Sequence, residues 1–169
     1  MSTVRPLQRW AQEKKTDYFL KLIPPKSNVL EIGSASQWFK KAAQTIEGVR
    51  YTDIDLTPPA DIVGDIRDWQ TLGLQPESFD IIVAFEVVEH VDCFQVCETL
   101  LRPGGKLFIT TPVPHWDWAM KILEIIGLNQ KRSSPHSHLV YLKDVTFQGQ
   151  KEIMIKCFLA QWAIFTKAQ

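Results

Sequence analysis

Residues Phe79-Asp80-Ile81-Ile82-Val83-Ala84-Phe85 form an apolar run broken by one carboxylate. A strand with one wet face alternates polar and apolar residues, because successive side chains point to opposite sides. A run without alternation suits a strand covered on both faces. Such a strand sits inside a sheet flanked by helices, so this segment selects an α/β architecture.

The neighbouring segments repeat the theme. Asn28 to Ile32 is a short apolar run closed by a small-residue turn at Gly33, and a helix is expected from about Gln37 to Glu47. Val49 to Ile54 reads as a second strand, with a short third at Asp61-Ile62-Val63-Gly64. After the Phe79 strand come a helix over about Asp92 to Leu101, a hard turn at Pro103-Gly104-Gly105 and a fifth strand, Lys106 to Thr111. Ahead of them, Leu7, Trp10, Ala11, Tyr18 and Leu22 recur at helical spacing until Pro24-Pro25 stops the ladder. Beyond them, Trp116 to Ile126 has helical periodicity, and Ile153 to Phe165 is rich enough in β-branched and aromatic residues for two strands. Strands alternating with helices predict one doubly wound, mostly parallel sheet in a single domain over residues 1–169.

Composition removes other classes. A chain of 169 residues with 45% hydrophobic and 22% charged residues is neither disordered nor fibrous. Nineteen basic and nineteen acidic residues leave no net charge, which argues against a broad nucleic-acid surface. Three unpaired-looking cysteines, Cys93, Cys97 and Cys157, suggest reduced thiols and a cytoplasmic setting. Met1 to Pro6 holds no apolar stretch, so no signal peptide is expected, and no apolar run is long enough for a membrane span.

In doubly wound sheets ligands bind beyond the carboxyl ends of the strands. Four features fall there. Glu31-Ile32-Gly33-Ser34-Ala35-Ser36 is a small-residue loop that a ligand can approach closely. Asp55, 22 residues after Gly33, is placed to accept from both hydroxyls of a ribose, with Asp53 as a competing candidate. Asp65 follows the third strand, where its carboxylate or the adjacent amide faces an adenine edge; a helix-capping role suits it equally. Phe85-Glu86 closes the fourth strand.

Together these segments resemble the class I S-adenosylmethionine-dependent methyltransferases. The segments that carry the resemblance are Val29-Leu30-Glu31-Ile32-Gly33, Tyr51-Thr52-Asp53-Ile54-Asp55-Leu56, Ala60 to Ile66, Ser78 to Val91, and Leu100 to Leu107. The resemblance implies a Rossmann-like sheet of seven strands with one antiparallel C-terminal strand. It implies S-adenosylmethionine as cofactor. Glu31 and Gly33 would line its methionine part along the Ser34-Ala35 loop, and Asp55 would hold the ribose. Asp65 with Ile66 would frame the adenine, and Phe85 with Glu86 would border the sulfonium. One departure stands out: Ala35 occupies the place where the family's second glycine is expected.

A nitrogen or oxygen acceptor needs a base only where its own proton must leave. His90, His115, His136 and His138 all follow the fourth or fifth strand, and His90 and His138 are the catalytic candidates. Glu86, Glu89, His90 and His138 also have the residue types of a divalent-cation set, but the reading adopted is metal-free. The expected activity is methyl transfer to a small-molecule or glycan acceptor, with oxygen favoured. Residues 113–150 are expected to cover the acceptor. The alternatives are a partner protein that keeps the fold without turnover, and, more weakly, a nicotinamide dehydrogenase.

Overall fold

The computed structural model describes residues 6–114, 140–156 and 160–169. One seven-stranded sheet organises them, in the order β3-β2-β1-β4-β5-β7-β6. In chain order the elements are α1 (Pro6–Phe19), β1 (Asn28–Ile32), α2 (Trp38–Ala43), β2 (Arg50–Asp55), β3 (Ile62–Val63), β4 (Phe79–Phe85), α3 (Phe94–Leu100), β5 (Leu101–Pro112), β6 (Gly149–Lys156) and β7 (Ala160–Lys167). Strands β1 to β5 pair in parallel, and β7 runs antiparallel between β5 and β6. The single reversed strand expected near the C-terminus is therefore β7.

Burial follows the apolar pattern. β4 is buried throughout except for a half-buried Asp80. Beyond Phe79, its odd and even residues feed two separate cores. Ile82 and Ala84 pack with Leu30, Leu107 and Phe165 on one face. Ile81, Val83 and Phe85 pack with Phe19, Phe39, Phe108 and Trp162 on the other. Each aromatic ring buried this way contributes on the order of 2 kcal/mol.

Several boundaries differ from expectation, two of them for a visible reason. α2 is shorter, ending at Ala43, where the amides of Thr45 and Ile46 donate to the carbonyls of Ala42 and Ala43 three residues back and the α-helical ladder stops. The fifth strand starts earlier, at Leu101, because Pro103-Gly104-Gly105 lies within it: pairing jumps from Phe79↔Leu101 to Ile81↔Lys106, and the extra residues bulge. Gly105 is required there, since a Cβ would stand 2.9 Å from the Arg102 carbonyl oxygen. Among the described residues no helix is long and apolar enough to cross a membrane.

Candidate active site

The carboxyl ends of β1, β2, β4 and β5 lie side by side, since Ile32 pairs with Ile54 and Ala84, and Phe85 with Thr110. The loop after β1 begins with Gly33, whose amide donates to the Ile54 carbonyl at 2.8 Å. Gly33 has φ +72°, and an added Cβ would meet Val87 Cγ2 at 2.6 Å, so both backbone and space demand glycine.

Ala35 has φ 44°. The alanine thus takes the left-handed turn that a glycine would take there, and the loop keeps its course. Left-handed backbone costs an alanine about 1 kcal/mol. Ala35→Gly is expected to raise stability by about that amount, read as a rise in melting temperature; an unchanged or lower value would show that the turn carries no strain.

Beneath the loop is a buried polar knot. Asp53, fully inaccessible, accepts from Ser34 Oγ at 2.5 Å and from Gln37 Nε2 at 3.0 Å. The Lys40 ammonium binds both Asp53 Oδ1 and Asp61 Oδ2, the latter at 2.7 Å. Burial alone would push the Asp53 carboxyl up, but the Lys40, Ser34 and Gln37 donors hold it well below the usual carboxylate range. All of Asp53's acceptor capacity faces inward, which removes it from the competition with Asp55.

Asp55 is different. It ends β2 half-exposed, accepting from the Ala35 amide at 3.0 Å and the Thr57 amide at 3.2 Å. Leu56 follows it with 69% of its surface exposed. Sequence reasoning passed over Leu56; the signal available was a large apolar residue directly after an acidic strand end.

Asp65 caps the short 3-10 turn Ile66–Asp68, accepting from the Arg67 amide at 2.9 Å and from its guanidinium at 2.6 Å. Its carboxylate is therefore engaged, and Ile66 turns its side chain into the core. What this segment leaves for a ligand is backbone.

Glu31 is buried at the end of β1 and accepts from the Tyr51 hydroxyl at 3.0 Å. Burial, helped by the Asp53 charge, pushes its carboxyl up to about 8, against the hydrogen bond from Tyr51.

At the end of β4, Glu86 takes φ 57° and accepts from Lys15 Nζ at 2.7 Å and from Thr110 Oγ1 at 2.9 Å. Lys15 also lies 5.7 Å from the centroid of the Phe85 ring. The first helix thus reaches the site, beside the residues 113–150 that the sequence reading expected to cover the acceptor. The left-handed Glu86 also ends the strand in a turn and not a helix, so Glu86, Glu89 and His90 diverge. Glu89 points into the core, 1% exposed, and accepts from Thr111 Oγ1 at 2.9 Å, whereas His90 is exposed at the edge. Among the described residues no three His, Cys, Asp or Glu side chains gather as a metal site. His115, His136 and His138 lie outside the described residues, as do Trp116, Trp118 and Cys157.

Burial and the neighbouring Glu86 charge push the Glu89 carboxyl up to about 8. A carboxyl raised on folding favours the folded state below its unfolded value near 4.5, and this advantage is lost as pH rises to about 8. The melting temperature is expected to fall between pH 5 and 8.5, and Glu89→Gln to shrink that fall. An identical fall in the variant would remove Glu89 as its cause.

Comparison with known proteins agrees with the fold. A family model described as a methyltransferase domain matches residues 7–145. The chain belongs to the class I S-adenosylmethionine-dependent methyltransferase family. The ubiquinone biosynthesis O-methyltransferase of Xylella fastidiosa is 29% identical over 116 residues, covering 57% of this chain and 47% of that protein. The mitochondrial protein of that name from Rattus norvegicus is 52% identical over 46 residues, or 25% of this chain and 13% of that one. The chain thus spans less than half the length of these relatives. Among solved structures, the N-methyltransferase NodS of Bradyrhizobium japonicum, bound to S-adenosyl-l-homocysteine, covers 99% of this chain and 90% of its own at a TM-score of 0.64 and 18% identity. That likeness is one of fold.

Proposed function

We propose that this chain binds S-adenosylmethionine and transfers its methyl group to an oxygen of a small-molecule acceptor. The observation that carries the reading is the half-exposed Asp55 carboxylate set against the Gly33–Ala35 loop, with the rival Asp53 locked inside. Asp55 would hold the ribose hydroxyls, and the exposed Leu56 would lie against the adenine. The Gly33-Ser34-Ala35 backbone would follow the methionine part, with Glu31 below it. Asp65 and Ile66 would frame the adenine through their main chain, since the Asp65 carboxylate is held by Arg67. Phe85 and Glu86 would border the sulfonium, which brings its own positive charge to the reaction.

The cofactor supplies an activated methyl group, so the protein's task is alignment and exclusion of water. The Phe85 ring offers a dry wall. Glu86 is balanced by Lys15, which leaves the wall without a lone anion. The two carboxyls of the turn are separated in role. Glu86 is paired with Lys15, while burial and the neighbouring Glu86 push the Glu89 carboxyl up to about 8. His90, exposed at this edge, and His138 are the candidate bases for an acceptor hydroxyl. Preference for oxygen and for a small acceptor draws support from the names of the curated relatives. The buried free thiols of Cys93 and Cys97 suit a reducing compartment such as the cytoplasm.

Calorimetric titration with S-adenosylmethionine and S-adenosylhomocysteine tests this directly. A micromolar dissociation constant, about −8 kcal/mol, is expected for both. No heat with either ligand would overturn the reading and favour a partner protein that keeps only the fold.

A further inference from the structure

We propose that the cavity at the amino-terminal edge of the sheet, lined by Lys26 and Lys106, binds the phosphate group of a phosphate monoester. This second site lies at the opposite end of the strands from the methyl-transfer edge and does not rest on the methyltransferase reading.

The cavity has a volume of about 430 Å³, within the range of small-molecule sites. It is built where the chain enters three strands. Lys26 precedes β1, Asp80 lies at the start of β4, and residues 102–106 form the bulge of β5 ahead of its pairing with Ile81. From Asp80 the strand β4 runs about 17 Å before it reaches Phe85 and the Glu86 turn. The bulge leaves the cavity an open side, for an added Cβ at Gly104 would meet nothing within 4 Å.

Charge selects the ligand. Asp80 is the acid among the described lining residues, and it is spent. Its carboxylate accepts from the Arg102 guanidinium at 2.8 Å and from the backbone amide of Asn28 at 2.7 Å. Arg102 is thereby balanced. Glu77, whose carbonyl accepts from Arg102, has its carboxylate paired with Lys167 at 3.2 Å. Among the described residues no carboxylate pairs with Lys26 or Lys106. Two unspent ammonium groups therefore line one cavity. A phosphate monoester brings close to two negative charges at neutral pH, and a carboxylate or sulfonate brings one. Leu22, Pro24 and Pro103 line the same space and keep part of their surface open. They offer an apolar body on the phosphate a wall to cover.

Lys26 is held in place before any ligand arrives. Its φ of 63° is left-handed, a strained conformation for a residue with a side chain, and such strain collects at binding sites. Its amide donates to the Glu47 carbonyl at 2.8 Å, and its Cγ lies where a Cβ added at Gly48 would come within 2.9 Å. Lys106 is half-buried, fixed between Ile81 of β4 and Thr166 of β7.

Phenyl phosphate, benzenesulfonate and inorganic phosphate serve as probes, titrated into the intact chain with and without saturating S-adenosylhomocysteine. Phenyl phosphate is expected to bind at least about fivefold more tightly than benzenesulfonate, which has the same ring and one charge fewer, and more tightly than inorganic phosphate. Lys106→Gln should remove the advantage over benzenesulfonate, and Lys106→Arg should keep most of it. Lys26→Gln, at an exposed position outside the sheet, is the second neutral variant should Lys106→Gln misfold. Affinity for S-adenosylhomocysteine should stay within about twofold of the parent in all three, and its presence should change phenyl phosphate binding by less than about twofold. Phenyl phosphate binding no better than benzenesulfonate or inorganic phosphate, equal binding by parent and neutral variants, or displacement by S-adenosylhomocysteine would overturn the site. Failure of the cofactor reading would appear separately, as no heat with S-adenosylhomocysteine, while the phenyl phosphate comparison still decides this site.

Discussion

Replacing Asp55 by alanine is expected to weaken S-adenosylhomocysteine binding about a hundredfold, or roughly 3 kcal/mol. The size follows from the chemistry of a carboxylate that accepts from two neighbouring hydroxyls. Hydrogen bonds to a charged acceptor contribute about 1.5–3 kcal/mol each, and both would be lost together. Asp55 also accepts from the Ala35 and Thr57 amides, so some of the loss would come through a looser loop. These contacts lie at a half-exposed position, so the fold should lose only about 1 kcal/mol, or about 3 °C in melting temperature. Asp55→Asn separates the two roles, because it keeps one acceptor oxygen for the amides and puts a donor where a hydroxyl must donate. Its affinity should fall between parent and alanine variant. A dissociation constant for Asp55→Ala within about threefold of the parent would show that the nucleoside is held elsewhere.

The largest effect on stability is expected at Lys40. Lys40→Met leaves the Asp53 carboxylate fully buried with the Ser34 hydroxyl, the Gln37 side-chain amide and the Asp61 backbone amide to hold it, and no cation. Breaking a buried ion pair by removing one partner costs about 3–5 kcal/mol, which for a chain of this size is a fall of about 10 °C. The double variant Lys40→Met with Asp53→Asn should recover more than half, because the uncompensated charge goes with the carboxylate. A drop of under about 2 °C in the single variant would show that water reaches Asp53 and that the knot is not a stability element. The same pair has a pH signature. Asp53 is held below its unfolded value near 3.8, so its contribution is complete above that value. It is lost as pH falls further toward the folded value. The parent should lose stability below about pH 4, and the acid limb should be shallower without Lys40.

The pH dependences of Glu89 and Asp53 have opposite signs, and both belong to one edge of the sheet. Stability from the raised Glu31 and Glu89 carboxyls falls as pH climbs toward about 8, and that from Asp53 falls in acid. Mildly acid solution, near pH 5, is where the three agree.

Much of the fold was legible because it rests on local chemistry. The unbroken Phe79–Phe85 run meant a strand covered on both faces, and β4 is that strand. Asn28 to Ile32 and the strand after Val49 followed from runs of the same kind, and the single reversed strand matches the family's pattern. The glycine at 33 and the acids at 55 and 65 could be placed at strand ends by counting. What counting could not supply was the direction in which a side chain points. Asp53 and Asp55 differ by two positions, which puts them on the same face of an ideal strand, yet one is buried and the other half-exposed. Only Lys40, Ser34 and Gln37, folding over from the next loop and helix, decide that Asp53 faces inward. The left-handed Glu86 likewise sends Glu89 into the core and leaves His90 outside, where helical spacing had put them together. Lys15 reaches Glu86 across 71 positions, and Lys156 meets Tyr18 across most of the chain. By itself the sequence determined the layers, the strands and which residues fall at the carboxyl edge of the sheet, because hydrophobic period and turn chemistry are local properties. The tertiary structure alone decided which charges are spent within the protein and which remain for a ligand, because ion pairing depends on distances that packing sets.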